Sequence, residues 1–370
     1  MLEETQMSKR IFCAAACLGI GGGCHAQTNA TIYGLLDTAI EHINHVGAAG
    51  SGLTRMPSNA GSMPSRLGLR GREDLGGGLS AQFVLEMGLA LDSGTLTKGG
   101  RGFGQQSFIS LIGPWGQIGL GRQQTMLFWS ILDADVIGPG MHSIANFDSY
   151  FANARADNSI AYKGTFAGLT VGVTYSLGRD AVNAGPSPAG TNCPGESSTD
   201  KSACREWSGL LKYDTANWGA ALAHDVIKGG VGAFGGLRQS SMSDKRTLLN
   251  GYVKRDGVKI GAGFVRRNND GYKTSPRSDL WFVGLSYPVG SWTIDTQYYQ
   301  LKYSANKDKG ELIVLRGIYH FSKRTKGYAS LGYMKNTGNA TFSASGGQAG
   351  GLPVAGGNQT GFGLGIRHAF

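Results

Sequence analysis

Ser65–Asp74 reads SRLGLRGRED, and Arg66, Arg70 and Arg72 stand on positions of one parity while Leu67 and Leu69 stand on the other. In an extended chain successive side chains point to opposite faces, so this stretch is a strand with guanidinium groups on one side and leucines on the other. The arginine side has to be wet. LTVGVTYSL at 169–177 repeats the plan with other residues: Leu169, Val171, Val173, Tyr175 and Leu177 share a face opposite Thr170, Gly172, Thr174 and Ser176. In TGFGLGIRHAF at 360–370, Phe362, Leu364, Ile366, His368 and Phe370 oppose Gly361, Gly363, Gly365, Arg367 and Ala369. A soluble sandwich also alternates, so the pattern needs its surroundings before it selects a fold.

From Thr31 onward the chain repeats one unit: an alternating segment, a tight turn, a second alternating segment and a longer polar loop. The tight turns are EDLGGG at 73–78, GPWG at 113–116, GTFAG at 164–168, RDG at 255–257, PVG at 288–290 and SKRT at 322–325, and the longest loops are 123–156 and 178–206. Short turns on one rim with long loops on the other, around about sixteen segments, describe an outer-membrane barrel. The chain's 61 glycines among 370 residues argue against a helical alternative, because an interior glycine costs a helix about 1 kcal/mol. Beyond the N-terminus nothing approaches the roughly 20 apolar residues of a spanning helix, so a membrane would be crossed by strands. Closing those strands leaves no edge unpaired in lipid. Tyr33, Trp207, Tyr213, Tyr287, Trp292 and Tyr333 lie near strand ends on faces read as outward, where rings settle at the bilayer interface.

The N-terminus has Lys9 and Arg10 ahead of an apolar stretch from Ile11 to Ile20, then Cys24-His25-Ala26 before Gln27. That order predicts a signal peptide over 1–26 and a barrel over 27–370. Its removal takes Glu3 and Glu4 with Lys9 and Arg10, so the formal charge stays +10. Cys13, Cys17 and Cys24 leave with it, and the remaining Cys193 and Cys204, in a polar loop without a neighbouring histidine, are expected to form a disulfide.

TIYGLLDTAIE, SRLGLRGREDLGGGLSAQFVLE, LGRQQT, ADNSIAY, SKRTKGYASLGYMKN and the closing GIRHAF occur in an order that resembles the trimeric general porins of Gram-negative outer membranes, in their betaproteobacterial branch. The resemblance implies an all-β transmembrane antiparallel barrel, a homotrimer, and a third loop folded into the lumen as an eyelet. It assigns Arg66 to the eyelet, with Arg70 and Arg72 continuing toward the periplasm, and Arg155 of NARADNS to a second basic position. Two departures stand out: GFGQQSF places Gln105 where the family often has arginine, with Arg101 nearby, and the third loop reads ILDADVIGPGMH in place of a PEFG-like sequence.

Guanidinium groups stay charged at physiological pH, so a row of them in a narrow aqueous lumen favours anions whatever the family. Lys163, Lys212, Arg316 and Arg367 fall on the same faces, opposed by Asp37, Glu86 and Asp295, while Asp133 and Asp135 are candidate acidic residues of the third loop. The plain alternative is that these charges pair to fill the barrel. Phe128, Trp129, Phe147, Tyr150 and Phe151 make that loop aromatic, which suits either packing against the wall or a selective path for aromatic or other organic carboxylates. A barrel enzyme would need a nucleophile beside His224 or His320, and the sequence shows no partner for either. Nucleic-acid binding is excluded by the dispersal of the cations. The expectation is therefore a passive porin of a Gram-negative outer membrane for small hydrophilic, preferentially anionic solutes, without a cofactor. Lipopolysaccharide and outer-membrane lipid are its expected surroundings, with the loop lysines Lys245, Lys273 and Lys307 as candidate contacts, although solvated loop charge is the first account of them. Strict alternation would put Arg122 on the lipid side with Ile118 and Leu120, so a bulge is expected there.

Overall fold

A computed structural model describes residues 29–58, 61–180, 192–233 and 235–370; the expected signal segment 1–26 lies outside them. The strands are β1 (Asn29–Val46), β2 (Ser51–Arg55), β3 (Arg66–Gly76), β4 (Leu79–Ala90), β5 (Thr95–Leu96), β6 (Gln106–Gly113), β7 (Gly116–Gln124), β8 (Arg155–Phe166) and β9 (Leu169–Ser176). They continue as β10 (Glu206–Asp214), β11 (Trp218–Lys228), β12 (Ser243–Arg255), β13 (Val258–Asn269), β14 (Arg277–Val289), β15 (Trp292–Tyr303), β16 (Lys309–His320), β17 (Thr325–Thr337) and β18 (Gln359–Ala369). β2 and β5 are short additions on the ends of β1 and β4; the others form a closed antiparallel barrel of 16 strands. β1 closes it, pairing with β3 from Asn29 to Leu35 and with β18 from Leu35 to Ile43.

The barrel inverts the arrangement of a soluble protein. Ile32, Ile40, Ile109, Leu249 and Leu364 point outward and are each more than half exposed, a continuous apolar surface that needs lipid to cover it. The buried apolar side chains lie within the barrel, where Leu127, Ile131, Ile144, Phe147 and Tyr150 of the loop 125–154 pack against Leu248, Val265, Phe282, Tyr299 and Leu312 of the wall. The wall is cut back to receive the loop. A Cβ on Gly261 would stand 1.9 Å from the Ala134 carbonyl oxygen, and one on Gly284 2.7 Å from Val136 Cγ2.

The tight turns fall where the sequence places them, with a further one between Asp214 and Trp218. Cys193 and Cys204 form a disulfide in the loop between β9 and β10. The bulge is present too: the pairing of β7 with β8 slips between Gly121 and Gln123, Gly121 adopts φ +128°, and Arg122 turns to Asp157 at 2.6 Å. Trp207, Tyr213, Tyr287, Trp292 and Tyr333 are outward and exposed. Tyr33 is not. It pairs with Gly68 on the lumenal side and donates its hydroxyl hydrogen bond to Glu86. Its ring fills the space left by Gly68, where a Cβ would meet it at 2.4 Å.

Candidate functional site

The lumen has two unlike walls. On β1, β3, β4 and β6–β8 the inner face is open, and side chains from it border a cavity of about 350 Å³. Arg66 and Arg70 face this cavity with Tyr33, Glu86, Gln82, Gln106, Gln117 and Lys163, while Met126 and Trp129 of the inward loop close its far side. Arg66 lies 3.4 Å from Glu86, and Arg70 stands over the Tyr33 ring at 5.1 Å. Arg72 continues the row toward the short-turn rim, where its Nε donates to Ser80 at 3.0 Å. Lys163 sits 3.6 Å above the Trp129 ring.

Opposite, the loop 125–154 is fastened along the inner face of β10–β17. Its two ends meet where Thr125 N–H donates to the Ala154 carbonyl at 2.9 Å. Met126 N–H donates to Ser208 on β10, and Tyr150 Oη lies 2.6 Å from Glu206 and 2.5 Å from Asp225. Arg316 on β16 donates to the carbonyls of Ile137 and Val136 while holding Asp295 at 2.8 Å. Asp148 accepts two hydrogen bonds from Arg246, and both Arg246 and Arg267 also reach Asp244. Burial alone would raise the Asp148 carboxyl, but the two arginines outweigh it and hold it down at about 2.

The residues singled out by sequence divide between these walls. Arg66, Arg70 and Arg72 form the predicted row. Arg155 does not join it: its guanidinium is buried and donates to the carbonyls of Gln105 and Ala152, so it ties the loop's base to β6's approach. Gln105 is 1% exposed beneath it and lines no part of the lumen surface. Asp133 is on the pore side and binds Lys212, which also holds Asp214. Asp135 is buried within the loop, where Oδ1 accepts from Ile137 N–H, Gly138 N–H and Tyr299 Oη. Its burial pushes the carboxyl upward. Of the aromatics, Phe147, Tyr150 and Phe151 pack the loop to the wall, and Trp129 alone of the group borders the cavity beside Lys163. Arg101 is drawn to Asp157 and Asp180, away from the eyelet. His224 lies against Trp207 and Thr247 on the outer face, and His320 bonds Thr293.

The balance of charge follows from these contacts. Among lumenal carboxylates, Asp37 accepts from Ser62, Met63 N–H and Tyr328, Glu86 from Tyr33, Asp295 from Arg316, and Asp74 caps its own turn at Gly76 N–H. Asp133 and Asp214 share Lys212. Among the described residues, Arg70, Arg72, Lys163, Lys254, Lys259, Lys326 and Arg367 face the lumen without a carboxylate partner. Lys254 and Lys259, not anticipated from the sequence, approach the Tyr252 ring at 4.7 and 5.5 Å. Parity alone would have placed both in the lumen.

Comparison with known proteins gives a consistent result. Residues 13–339 match the family model described as Gram-negative porin. Outer membrane porin protein 32 of Delftia acidovorans is 32% identical over 98% of this chain and 100% of its own, and an outer membrane porin protein of Bordetella pertussis is 28% identical over the same shares. Among solved structures, an anion-selective porin from Comamonas acidovorans superposes with a TM-score of 0.77 at 27% identity, covering 93% of this chain and 100% of that one.

Proposed function

From the premise that the chain belongs to the Gram-negative porin family, and so is an outer-membrane channel, we propose that its lumen prefers anions and that Arg70 and Lys163 dominate that preference. The observation that carries the reading is the unequal pairing of lumenal charge. The carboxylates are engaged by hydroxyls, amides and cations, while Arg70 and Lys163 border the cavity with no carboxylate partner among the described residues. Fixed positive charge in a narrow, low-dielectric passage concentrates anions and repels cations. Arg66 contributes less because Glu86 is beside it. Transport needs no bound group or energy source, since the only driving force is the solute gradient.

The test is the zero-current potential of the protein in a planar bilayer across a potassium chloride gradient, beside an Arg70→Ser/Lys163→Ser variant. An anion-selective potential that moves toward zero in the variant supports the proposal. A potential that the double change leaves in place assigns selectivity elsewhere. The proposal includes assembly as a homotrimer, read from conductance steps in threes, and removal of residues 1–26, read from the N-terminal residue of the membrane-inserted protein.

A second reading is favoured by one contact, the Lys163 ammonium 3.6 Å above Trp129 at the cavity's edge. A ring beside a cation is a landing place for aromatic carboxylates. In that case Trp129→Leu slows benzoate relative to acetate in a liposome-swelling assay; equal slowing of both leaves the general channel.

A further inference from the structure

The long-loop mouth of the barrel holds a larger space that the selectivity of the lumen leaves unused. The loops 229–242, 270–276, 304–308 and 338–358 enclose a cavity of about 880 Å³, within the range of roughly 300–1,000 Å³ typical of small-molecule sites. Tyr272, Tyr303 and Phe342 present half-buried rings to it.

Specific contacts fix the walls. Asn336 on β17 holds the Phe342 backbone from both sides, accepting from its N–H and donating to its carbonyl, each at 2.9 Å. The inner face of β16 is cut back under the ring: a Cβ on Gly310 would stand 2.4 Å from Phe342 Cδ2. Tyr303 stacks on Phe342 with the ring planes 10° apart, and Phe147 of the inward loop meets Phe342 edge-on at 5.1 Å. Arg267 stands over the Tyr272 ring at 5.2 Å. Asn306 donates to Ser275 at 2.9 Å and joins the loops 304–308 and 270–276. Backbone meets backbone at Gly271, where a Cβ would stand 1.9 Å from the Gly235 carbonyl oxygen.

The polar groups around the rings define what this space can take. Asp308 is engaged by its own surroundings, accepting from Asn306 Nδ2 at 3.0 Å and from Asn339 N–H at 2.7 Å. Arg238 and Lys273 are exposed at the cavity's edge and have no carboxylate partner among the described residues. The Tyr272 and Tyr303 hydroxyls and the side chains of Thr274, Thr341 and Asn339 have no hydrogen-bond partner among the described residues. Aromatic faces ringed by neutral donors and acceptors suit a pyranose, which has an apolar C–H face and an edge of hydroxyls. Two cations beside them suit a carboxylate on that sugar. An aromatic carboxylate would use the rings and the cations but leave the hydroxyl and amide groups unmatched.

We propose that this outer vestibule is a loading site for acidic saccharides, in which a uronic acid ring lies against Tyr272 and the Tyr303–Phe342 pair and its carboxylate meets Arg238 and Lys273. The site goes beyond the anion preference of the lumen and uses none of the residues assigned to it. Tyr272, Tyr303, Thr341 and Phe342 also border an adjoining cavity of about 580 Å³, which reaches Phe147 on the inward loop and Pro64 just ahead of Arg66. A solute released from the vestibule therefore descends through that cavity toward the arginine row.

The test is isothermal titration of the folded protein in detergent micelles at low salt with digalacturonate, beside cellobiose and benzoate. Digalacturonate should bind, and the other two should be at least about tenfold weaker, since cellobiose lacks the charge and benzoate the hydroxyls. Arg238→Gln/Lys273→Gln should weaken digalacturonate about tenfold or more with the thermal transition unchanged. Tyr272→Ser should weaken it about fivefold, and Tyr272→Phe, which keeps the ring, should recover most of that loss. Arg70→Ser/Lys163→Ser should leave the affinity in place while moving the zero-current potential, so failure of the vestibule site and failure of the lumenal reading are told apart. No binding of digalacturonate, equal affinity in Arg238→Gln/Lys273→Gln, benzoate as tight as digalacturonate, or affinity lost in Arg70→Ser/Lys163→Ser would each overturn the proposal.

Discussion

The open wall and the loop-bearing wall of the lumen are built from the same kind of strand and put to opposite uses. On β10–β17 inward side chains are bonded to the loop 125–154, charge meets charge, and glycine replaces bulk where the loop passes. On β1, β3, β4 and β6–β8 inward side chains remain in water, and Arg70 and Lys163 are left unneutralised. The difference teaches that a polar inner face has no fixed role. What decides it is whether a second segment of chain covers that face, because covered charges must be paired and uncovered ones need not be.

The comparison breaks hardest at Asp148. Its side chain is 5% exposed and sits against Arg246, which is 1% exposed. Asp148→Ala leaves Arg246 and Arg267 to share Asp244 alone, and a loss of about 3 kcal/mol is expected in urea unfolding. An Arg70→Ser change on the open wall serves as the contrast, with a loss under about 0.5 kcal/mol expected for a surface substitution but a clear move of the zero-current potential. Similar stability losses in both would erase the distinction.

Acid gives the next effect, through the middle of the loop. His142 bonds Ser330 with Nδ1 and is packed between Gly332 and Gly361. Burial first, and then Arg316, push its imidazole down to about 3. The unfolded chain takes up that proton near pH 6.5 and the folded chain does not. The stabilisation is therefore whole above that point and is lost as the pH falls toward 3. Asp148 works in a lower window, full above about pH 4 and lost as the pH falls through about 2. Acidification from pH 7 to 4 is expected to lower stability by about 2–3 kcal/mol through His142, and His142→Asn should flatten that slope. An unchanged slope would place the sensitivity elsewhere.

Asp135 sharpens the same point at smaller scale. Ile137 N–H, Gly138 N–H and Tyr299 Oη all donate to one oxygen, Oδ1, and the Gln297 side chain also bonds the carboxylate. Asp135→Asn retains that acceptor and removes a charge that burial disfavours, so its stability should change by less than about 1 kcal/mol, whereas Asp135→Ala leaves three donors unmet and should cost about 1–3 kcal/mol. If both variants behaved alike, the charge rather than the acceptor would be what the loop needs.

Much of this architecture was legible because lipid and water impose opposite demands on alternate residues. The leucines and arginines of β3, the glycine-rich inner face of β18 and the bulge at Arg122 all follow from parity. Tyr33 was misread for want of the same test: it shares the parity of Asp37, and its nearness to a strand end carried the reading instead. Arg155 and Gln105 were placed at the eyelet by resemblance and Asp135 by its position in the third loop, and neither ground says which inward groups that loop will cover. That depends on meetings between distant residues, such as Ala134 with Gly261 or Asp148 with Arg246, for which no local pattern exists. Gly261 was visible as one glycine among 61, and only the loop lying against it shows why it is small.

The seam between β1 and β18 sets a constraint on time as well as space. It joins Leu35 to Ala369 and Ile43 to Gly361, so the ladder that shuts the cylinder is the one whose partners are synthesised farthest apart. Neighbouring hairpins can form as they emerge, but this junction waits for nearly the whole polypeptide and carries the largest closure entropy in the molecule. The inward loop reaches this junction too, with His142 against Gly361 and Met141 against Gly363 of β18. The topology thus ranks the contacts by closure entropy: least for the hairpins, more for the loop against its wall, most for the ring.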